Sequence, residues 1–140
     1  MTVREAHRDE LDAVHALRHA VFVQELGVTA AAGPDADDAI STHLVATEAE
    51  EIVGACRLVP GREGRLRLGY LCVAPHARGR GVAAALLTDA AARALAGGFT
   101  TVVLHAQPDV VPLYERAGYT VTGTRVVLGM EHQVLELRVG

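Results

Sequence analysis

The sequence predicts an α/β domain on a mixed central sheet of about six to seven strands, with helices on both faces. Three observations predict it. Apolar residues recur at helical spacing in two separate segments, near the N-terminus and again from Gly79 to Leu95. Between them lie apolar runs joined by links short enough for antiparallel hairpins. The remaining segments alternate helix and strand, which mixes the strand directions. The chain has 140 residues and half of them are hydrophobic, so residues 1–140 are expected to form a single domain with its own core.

Thr2–Ala6 is a short first strand. Asp9 is the expected N-cap of a helix whose buried face is Leu11, Val14, Val21 and Phe22. Gly27 to Ile40 is a loop or short irregular helix rich in Ala, Gly, Pro and Asp, and it carries Asp35, Asp37 and Asp38. His43–Thr47 and Ile52–Leu58 pair as a hairpin across Glu48-Ala49-Glu50-Glu51. Gly61 to Gly64 is the next turn, and Leu66–Val73 reads as a central strand ended by Pro75. A helix follows from Gly79 to Leu95, with Val82, Leu86, Ala90 and Ala94 on one face, and Gly97-Gly98 stops it. Thr101–Leu104 is a buried strand. Pro108 opens a helix to about Arg116, Gly118 begins a strand through Val121, and Val134–Val139 ends the chain.

Composition narrows the function. The formal net charge is −4, so the chain as a whole offers no basic face for nucleic acid. No apolar run approaches the ~18 residues of a membrane span, and the first residues lack a secretory leader pattern. The expected location is the cytoplasm. With only two cysteines, Cys56 and Cys72, neither a disulfide framework nor a four-ligand zinc site is expected, and no metal is assigned. All 13 basic residues are arginine. Without lysine, the phosphate-binding Lys of a P-loop, the strand Lys of a protein kinase and the Schiff-base Lys of a pyridoxal enzyme are all excluded.

The segment Val73-Ala74-Pro75-His76-Ala77-Arg78-Gly79-Arg80-Gly81-Val82-Ala83 joins the central strand to the second helix. Gly79 and Gly81 allow close backbone approach to a ligand. The amides from about Gly79 to Ala84 open the helix without carbonyl partners, so a diphosphate there would satisfy them at the positive end of the helix dipole. Arg78 and Arg80 add charge, and Ala83, Ala84 and Ala85 leave the helix start accessible. The same residues match the dinucleotide fingerprint G-x-G-x-x-G/A, but no acidic residue ends the next strand, which runs into His105. A glycine-rich loop that only starts a helix and binds no ligand would show the same residues.

The spacing Arg78-x-x-Gly81-x-Ala83 resembles the coenzyme A signature Q/R-x-x-G-x-G/A of the GNAT superfamily of N-acetyltransferases. Tyr70-Leu71-Cys72-Val73-Ala74-Pro75 is similar to that family's splayed central strand. The stretch from Leu104 through Tyr114-Glu115-Arg116-Ala117-Gly118-Tyr119 resembles its second motif, N-x-x-A-x-x-x-Y-E-K-x-G-F. Val21-Phe22-Val23-Gln24-Glu25 and His43-Leu44-Val45-Ala46 are similar to the ElaA-like branch. The resemblance covers nearly the whole chain.

What the resemblance implies is an acyltransferase that moves an acetyl group from acetyl-CoA to a primary amine of a small molecule or peptide, by direct attack. Leu71, Cys72 and Val73 would offer main-chain donors to the thioester and pantetheine. Arg78, Gly79, Arg80, Gly81, Val82, Ala83 and Ala84 would hold the pyrophosphate. Gln107 stands where the family usually has Asn. Tyr114 falls on the usual acid for the thiolate, though an aromatic at that spacing also packs a core.

Some members carry a Glu six residues before the position of Val73, and here that residue is Arg67, which accepts no proton. The base is therefore sought among Glu25, His43, His105, Glu131 and His132, with Glu25 first. Cys72 could carry the acyl group covalently, although no adjacent cation lowers its pKa. The acidic loop Asp35–Asp38 could attract a polyamine, or could simply be solvated. The expected partners are the amine substrate and no nucleic acid or membrane, with a homodimer left open. The alternatives are a non-catalytic acyl-CoA sensor on the same fold and a dinucleotide-binding oxidoreductase.

Overall fold

A computed structural model describes residues 1–28, 33–127 and 129–140. Its strands are β1 (Thr2–Glu5), β2 (Thr42–Glu48), β3 (Glu51–Pro60), β4 (Arg65–Val73), β5 (Thr101–Ala106), β6 (Thr120–Val127) and β7 (Met130–Arg138). The helices are α1 (Leu11–Arg18), α2 (Val82–Ala96) and α3 (Val111–Arg116). One seven-stranded sheet has the order β1-β2-β3-β4-β5-β7-β6. Among the described strands, only β4 and β5 pair in parallel. No described helix is long and apolar enough to cross a membrane.

The sheet buries both faces of its central strands, as their near-continuous apolar runs require. Leu44, Leu66, Leu68, Leu104 and Leu135 pack against α2 and α3 through Leu86, Ala90, Ala94 and Tyr114. On the other face Val45, Ala55 and Cys72 meet Val14 and Val21. Gly54 is what lets α2 sit so close, because a Cβ there would lie 2.7 Å from Val82 Cγ1.

Several expected boundaries move, each for a local reason. The first helical turn starts after His7 rather than at Asp9, because the Glu10 carboxylate accepts from the His7 N–H at 2.8 Å and is itself gripped by Arg4. Beyond Arg18, helix α1 continues as wider π-type turns over His19–Glu25, a pattern that apolar spacing does not distinguish from a continuous helix. Helix α2 starts at Val82, not Gly79, because Gly79 and Gly81 hold φ of 78° and 79°, outside the helical region. Gly118, at φ 98°, belongs to the turn before β6. Strands β6 and β7 run longer than their sequence cues, since each supplies the other's ladder. Of the loop from Gly27 to Ile40, Ala36–Ile40 form a 3-10 helix, and residues 29–32 lie outside the described residues.

Candidate active site

Strands β4 and β5 are paired only at Arg65↔Thr101, Leu66↔Val102 and Arg67↔Val103, and then part. The divergence follows from a bulge. Ala55 faces Cys72 and Arg57 faces Gly69, so Tyr70 and Leu71 together oppose Cys56. Tyr70 has φ 51°, a left-handed conformation that costs a bulky residue ~1–3 kcal/mol. Its ring is held in place. The Arg18 and Arg57 guanidinium carbons lie 4.3 Å and 4.7 Å from its centroid, and Phe22 meets it edge-on at 5.4 Å.

Those arginines are buried, and their charge is balanced by the acidic loop. Asp38 accepts from Arg18 at 3.0 Å and from Arg57 at 3.1 Å, while Asp35 accepts from Arg57 and Asp37 from Arg67 at 2.8 Å. Arg57 holds the Asp35 carboxyl below its ordinary range. Burial works against ionisation of Asp38, but its bonds to the Asp35 backbone, Arg18 and Arg57 prevail and its pKa is also lowered. The acidic loop is therefore an internal counter-charge, which leaves little of it to attract a polyamine.

Where β4 and β5 part, a cavity of about 1070 Å³ opens through the domain. That is just above the ~300–1,000 Å³ common for small-molecule sites. One end is the loop into α2. None of the described backbone or side-chain hydrogen bonds satisfies the amides from Gly79 to Ala84, whereas the next amide, Ala85, donates to Gly81 at 3.0 Å. Gly79, Gly81, Ala83 and Ala84 line the cavity. A row of unpartnered N–H groups at the start of a 15-residue helix suits an anion by geometry and by dipole. Arg80 sits at the rim, 2.8 Å from Glu48.

The mid-section holds Leu71, Cys72, Val73, Gln107 and Tyr114 together on the cavity wall. Tyr114, on α3, is only 8% exposed, and burial with Cys56 nearby pushes its pKa up to about 12, so its phenol keeps its proton at neutral pH. The Cys72 thiol is pushed by burial up to about 12 and stays protonated, an inert state for a nucleophile. Cys56 is raised further, by burial and by Cys72.

The candidate bases separate cleanly. Glu25 does not line the cavity; both of its oxygens accept from Arg78, each at 2.6 Å, and that guanidinium lowers its pKa. His43 is buried beside the Asp38 carbonyl, 3.1 Å away, off the cavity wall, and Glu131 is also absent from that wall. His105 and His132 both line it. Burial, then Arg125, His132 and Arg67, lower the His105 pKa, so this imidazole is neutral and able to accept a proton at pH 7. Sequence reasoning passed over Arg18, Arg57 and Arg125. Their spacing in the chain carries no motif: the register of the sheet places Arg57 and Arg125, and the packing of α1 brings Arg18 over Tyr70.

The model of the acetyltransferase (GNAT) domain matches residues 9–137. The uncharacterized N-acetyltransferase YjcF of Bacillus subtilis (strain 168) is 30% identical over 128 residues, spanning 90% of this chain and 91% of that protein. The chain therefore belongs to the GNAT acetyltransferase family, a class of acyl-transferring enzymes. A Lactobacillus plantarum protein described as an N-acetyltransferase superposes with a TM-score of 0.88 at 27% identity, covering 99% of this chain and 97% of that one. Escherichia coli ElaA shares the fold at a TM-score of 0.80 and 21% identity, over 96% of this chain and 97% of its own. An aminoglycoside 6'-N-acetyltransferase complexed with coenzyme A shares it at 0.81 and 16%, over 99% and 97%. The dinucleotide-binding alternative is overturned, because that domain needs a run of parallel strands and here β4 has antiparallel β3 on one side.

Proposed function

We propose that the chain transfers an acetyl group from acetyl-CoA to a primary amine of a small molecule or peptide by direct attack. The observation that carries this reading is the continuity of unpartnered amides at Gly79–Ala84 with the gap between β4 and β5. A diphosphate seated on those amides sends a thioester arm down the gap toward Tyr114. The coenzyme A bound by the aminoglycoside acetyltransferase of the same fold supports the choice of cofactor.

In this reading Leu71, Cys72 and Val73 give main-chain donors to the thioester and pantetheine, and Gln107 hydrogen-bonds the arm. Arg78, held by Glu25 and by the Val73 carbonyl at 3.1 Å, braces the loop, so Glu25 is a positioning residue rather than the base. Arg80 and Val82 complete the pyrophosphate turn. The amine lone pair attacks the thioester carbon and forms the new C–N bond. Main-chain N–H groups stabilise the oxyanion. Collapse breaks the C–S bond, the thiolate takes the Tyr114 phenolic proton, and the nitrogen gives its proton to His105. Exchange with solvent restores both groups.

The test is thiol release from acetyl-CoA in the presence of a panel of amines. Amine-dependent release supports the reading. Tight acetyl-CoA binding with no release to any amine would instead mark a sensor. Cys72→Ala should keep its activity; a folded, CoA-binding but inactive Cys72→Ala would require a covalent route.

A further inference from the structure

We propose that the acceptor amine carries an oxyanion of its own, a carboxylate or a phosphate, and that Arg125 with Arg67 and His132 receives it. This deepens the acetyl-transfer reading and rests on it. The cavity end opposite the amide row is walled by consecutive strands of the sheet. Arg67 comes from β4, His105 from β5, Arg125 from β6 and His132 from β7.

The register explains their meeting. Arg67 pairs with Val103, two residues before His105 and so on the same face. Arg125 pairs directly with His132. Arg125, His132 and Arg67 each act on His105 strongly enough to lower its proton affinity, and no carboxylate offsets them there.

The charge in this corner is only partly spent internally. Arg67 donates to Asp37 through Nη2 at 2.8 Å, which leaves Arg67 the lesser contributor, while Glu136 is engaged on Arg65 at 3.0 Å and on Thr122 at 3.0 Å. Arg125 has no acidic partner among the described residues. The His132 Nδ1 meets the Met130 carbonyl at 3.0 Å, which leaves Nε2 for a ligand. The guanidinium fork of Arg125 suits a planar carboxylate or a phosphate in two-point contact. Phe22, Val127 and Met130 line the same space and would cover an apolar skeleton.

The arrangement also serves the chemistry. An ammonium group placed beside Arg125 is disfavoured relative to the neutral amine, and only the neutral amine attacks. An acceptor with a second cation, such as a polyamine, meets like charge at this wall. An acceptor with an oxyanion gains an attractive anchor that holds its amine at a fixed distance, beside His105.

The experiment uses the full chain. Acetyl-CoA binding is measured first by calorimetry. Single-substrate kinetics then compare matched amines: phenylalanine against phenethylamine, ornithine against putrescine, and phosphoethanolamine against ethanolamine. The expected result is a higher kcat/KM for the oxyanion-bearing member of at least one pair, with the carboxylate and phosphate pairs showing which oxyanion is taken. Arg125→Gln, at an exposed strand position, should raise KM for that amine by ~10-fold or more with acetyl-CoA affinity unchanged, and Arg125→Lys should recover part of the loss. Acetyl-CoA bound, with equal or better transfer to the amines lacking an oxyanion, or with transfer to none of the panel, overturns this proposal and leaves the cofactor reading standing. Failure to bind acetyl-CoA overturns both.

Discussion

Tyr114 and His105 face the same cavity, and the proposed reaction gives them opposite tasks, each suited to its surroundings. Burial keeps the Tyr114 phenol protonated, with its pKa pushed up to about 12. Such a group stays protonated until charge develops on the departing sulfur, and then donates its hydrogen bond and proton to it as the C–S bond breaks, solvent restoring the phenol afterwards. Tyr114→Phe keeps the packing of the ring against Tyr119, 6.0 Å away, and removes the proton. Acetyl transfer in a single turnover should slow by ~10²-fold or more with acetyl-CoA affinity little changed. Transfer at the parent rate would make Tyr114 a packing residue. His105 must be neutral to act, and burial and cationic neighbours depress its pKa. The sign is that activity is present above the folded pKa and lost as pH falls through it. The acid limb of kcat/KM should therefore lie below the ordinary histidine value of ~6.5, and His105→Gln should remove that limb along with most of the rate. A limb that survives the substitution would belong to another group.

At the scale of elements, what decides the site is how α2 is seated on the sheet. Its amide row points into the cavity because Gly79 and Gly81 turn the chain before Val82, and because Gly54 on β3 leaves room for Val82 and Leu86. Gly54→Ala should push the first turn of α2 outward. The expected cost is ~1–3 kcal/mol of stability, read in denaturant melts, together with weaker acetyl-CoA binding. Unchanged affinity in a destabilised variant would separate the seating of α2 from the cofactor site. This element was legible in the sequence, since glycines between an apolar strand and a small-residue helix leave few other readings. Its first turn was not, because two left-handed glycines can open a helix or precede one, and only φ distinguishes the cases. The bulge at Tyr70 was hidden for a similar reason. An aromatic in a strand predicts an extended backbone, and here aromatic and guanidinium neighbours from elsewhere in the chain hold it left-handed.

Over the whole molecule, the acidic loop ties α1 to β3 and β4. Arg18 is 3% exposed and Arg57 8%, and neither is tolerable without its carboxylates. Asp38→Ala leaves both guanidinium groups short of charge and should destabilise the fold by ~3–5 kcal/mol. The same pairs predict acid sensitivity. The folded pKa values of Asp35 and Asp38 are depressed. Their stabilisation is present above the unfolded carboxylate value of ~3.9 and is lost as pH falls through the folded values. Melting temperature should drop steeply below pH ~4 in the parent and less steeply in Asp38→Asn, whose reference stability is already lower. Parallel pH profiles would mean that other carboxylates govern acid unfolding. This network explains why the sequence suggested a solvated or polyamine-attracting loop. Three nearby aspartates look like free charge until the partners at positions 18, 57 and 67, distant in the chain, are brought against them by the fold.

If the amides from Gly79 to Ala84 hold the pyrophosphate of acetyl-CoA, as proposed, titration calorimetry of the parent and Gly81→Glu will show it. A carboxylate at this position would stand where the anion sits, on a residue whose added Cβ meets nothing within 4 Å, although its φ of +79° adds some strain. Gly81→Ala, with the same strain and no charge, is the control for folding and backbone effects. Acetyl-CoA is expected to bind the parent in the micromolar range, with a modest loss for Gly81→Ala and no detectable binding for Gly81→Glu. A folded Gly81→Glu that binds acetyl-CoA as tightly as the parent would contradict it.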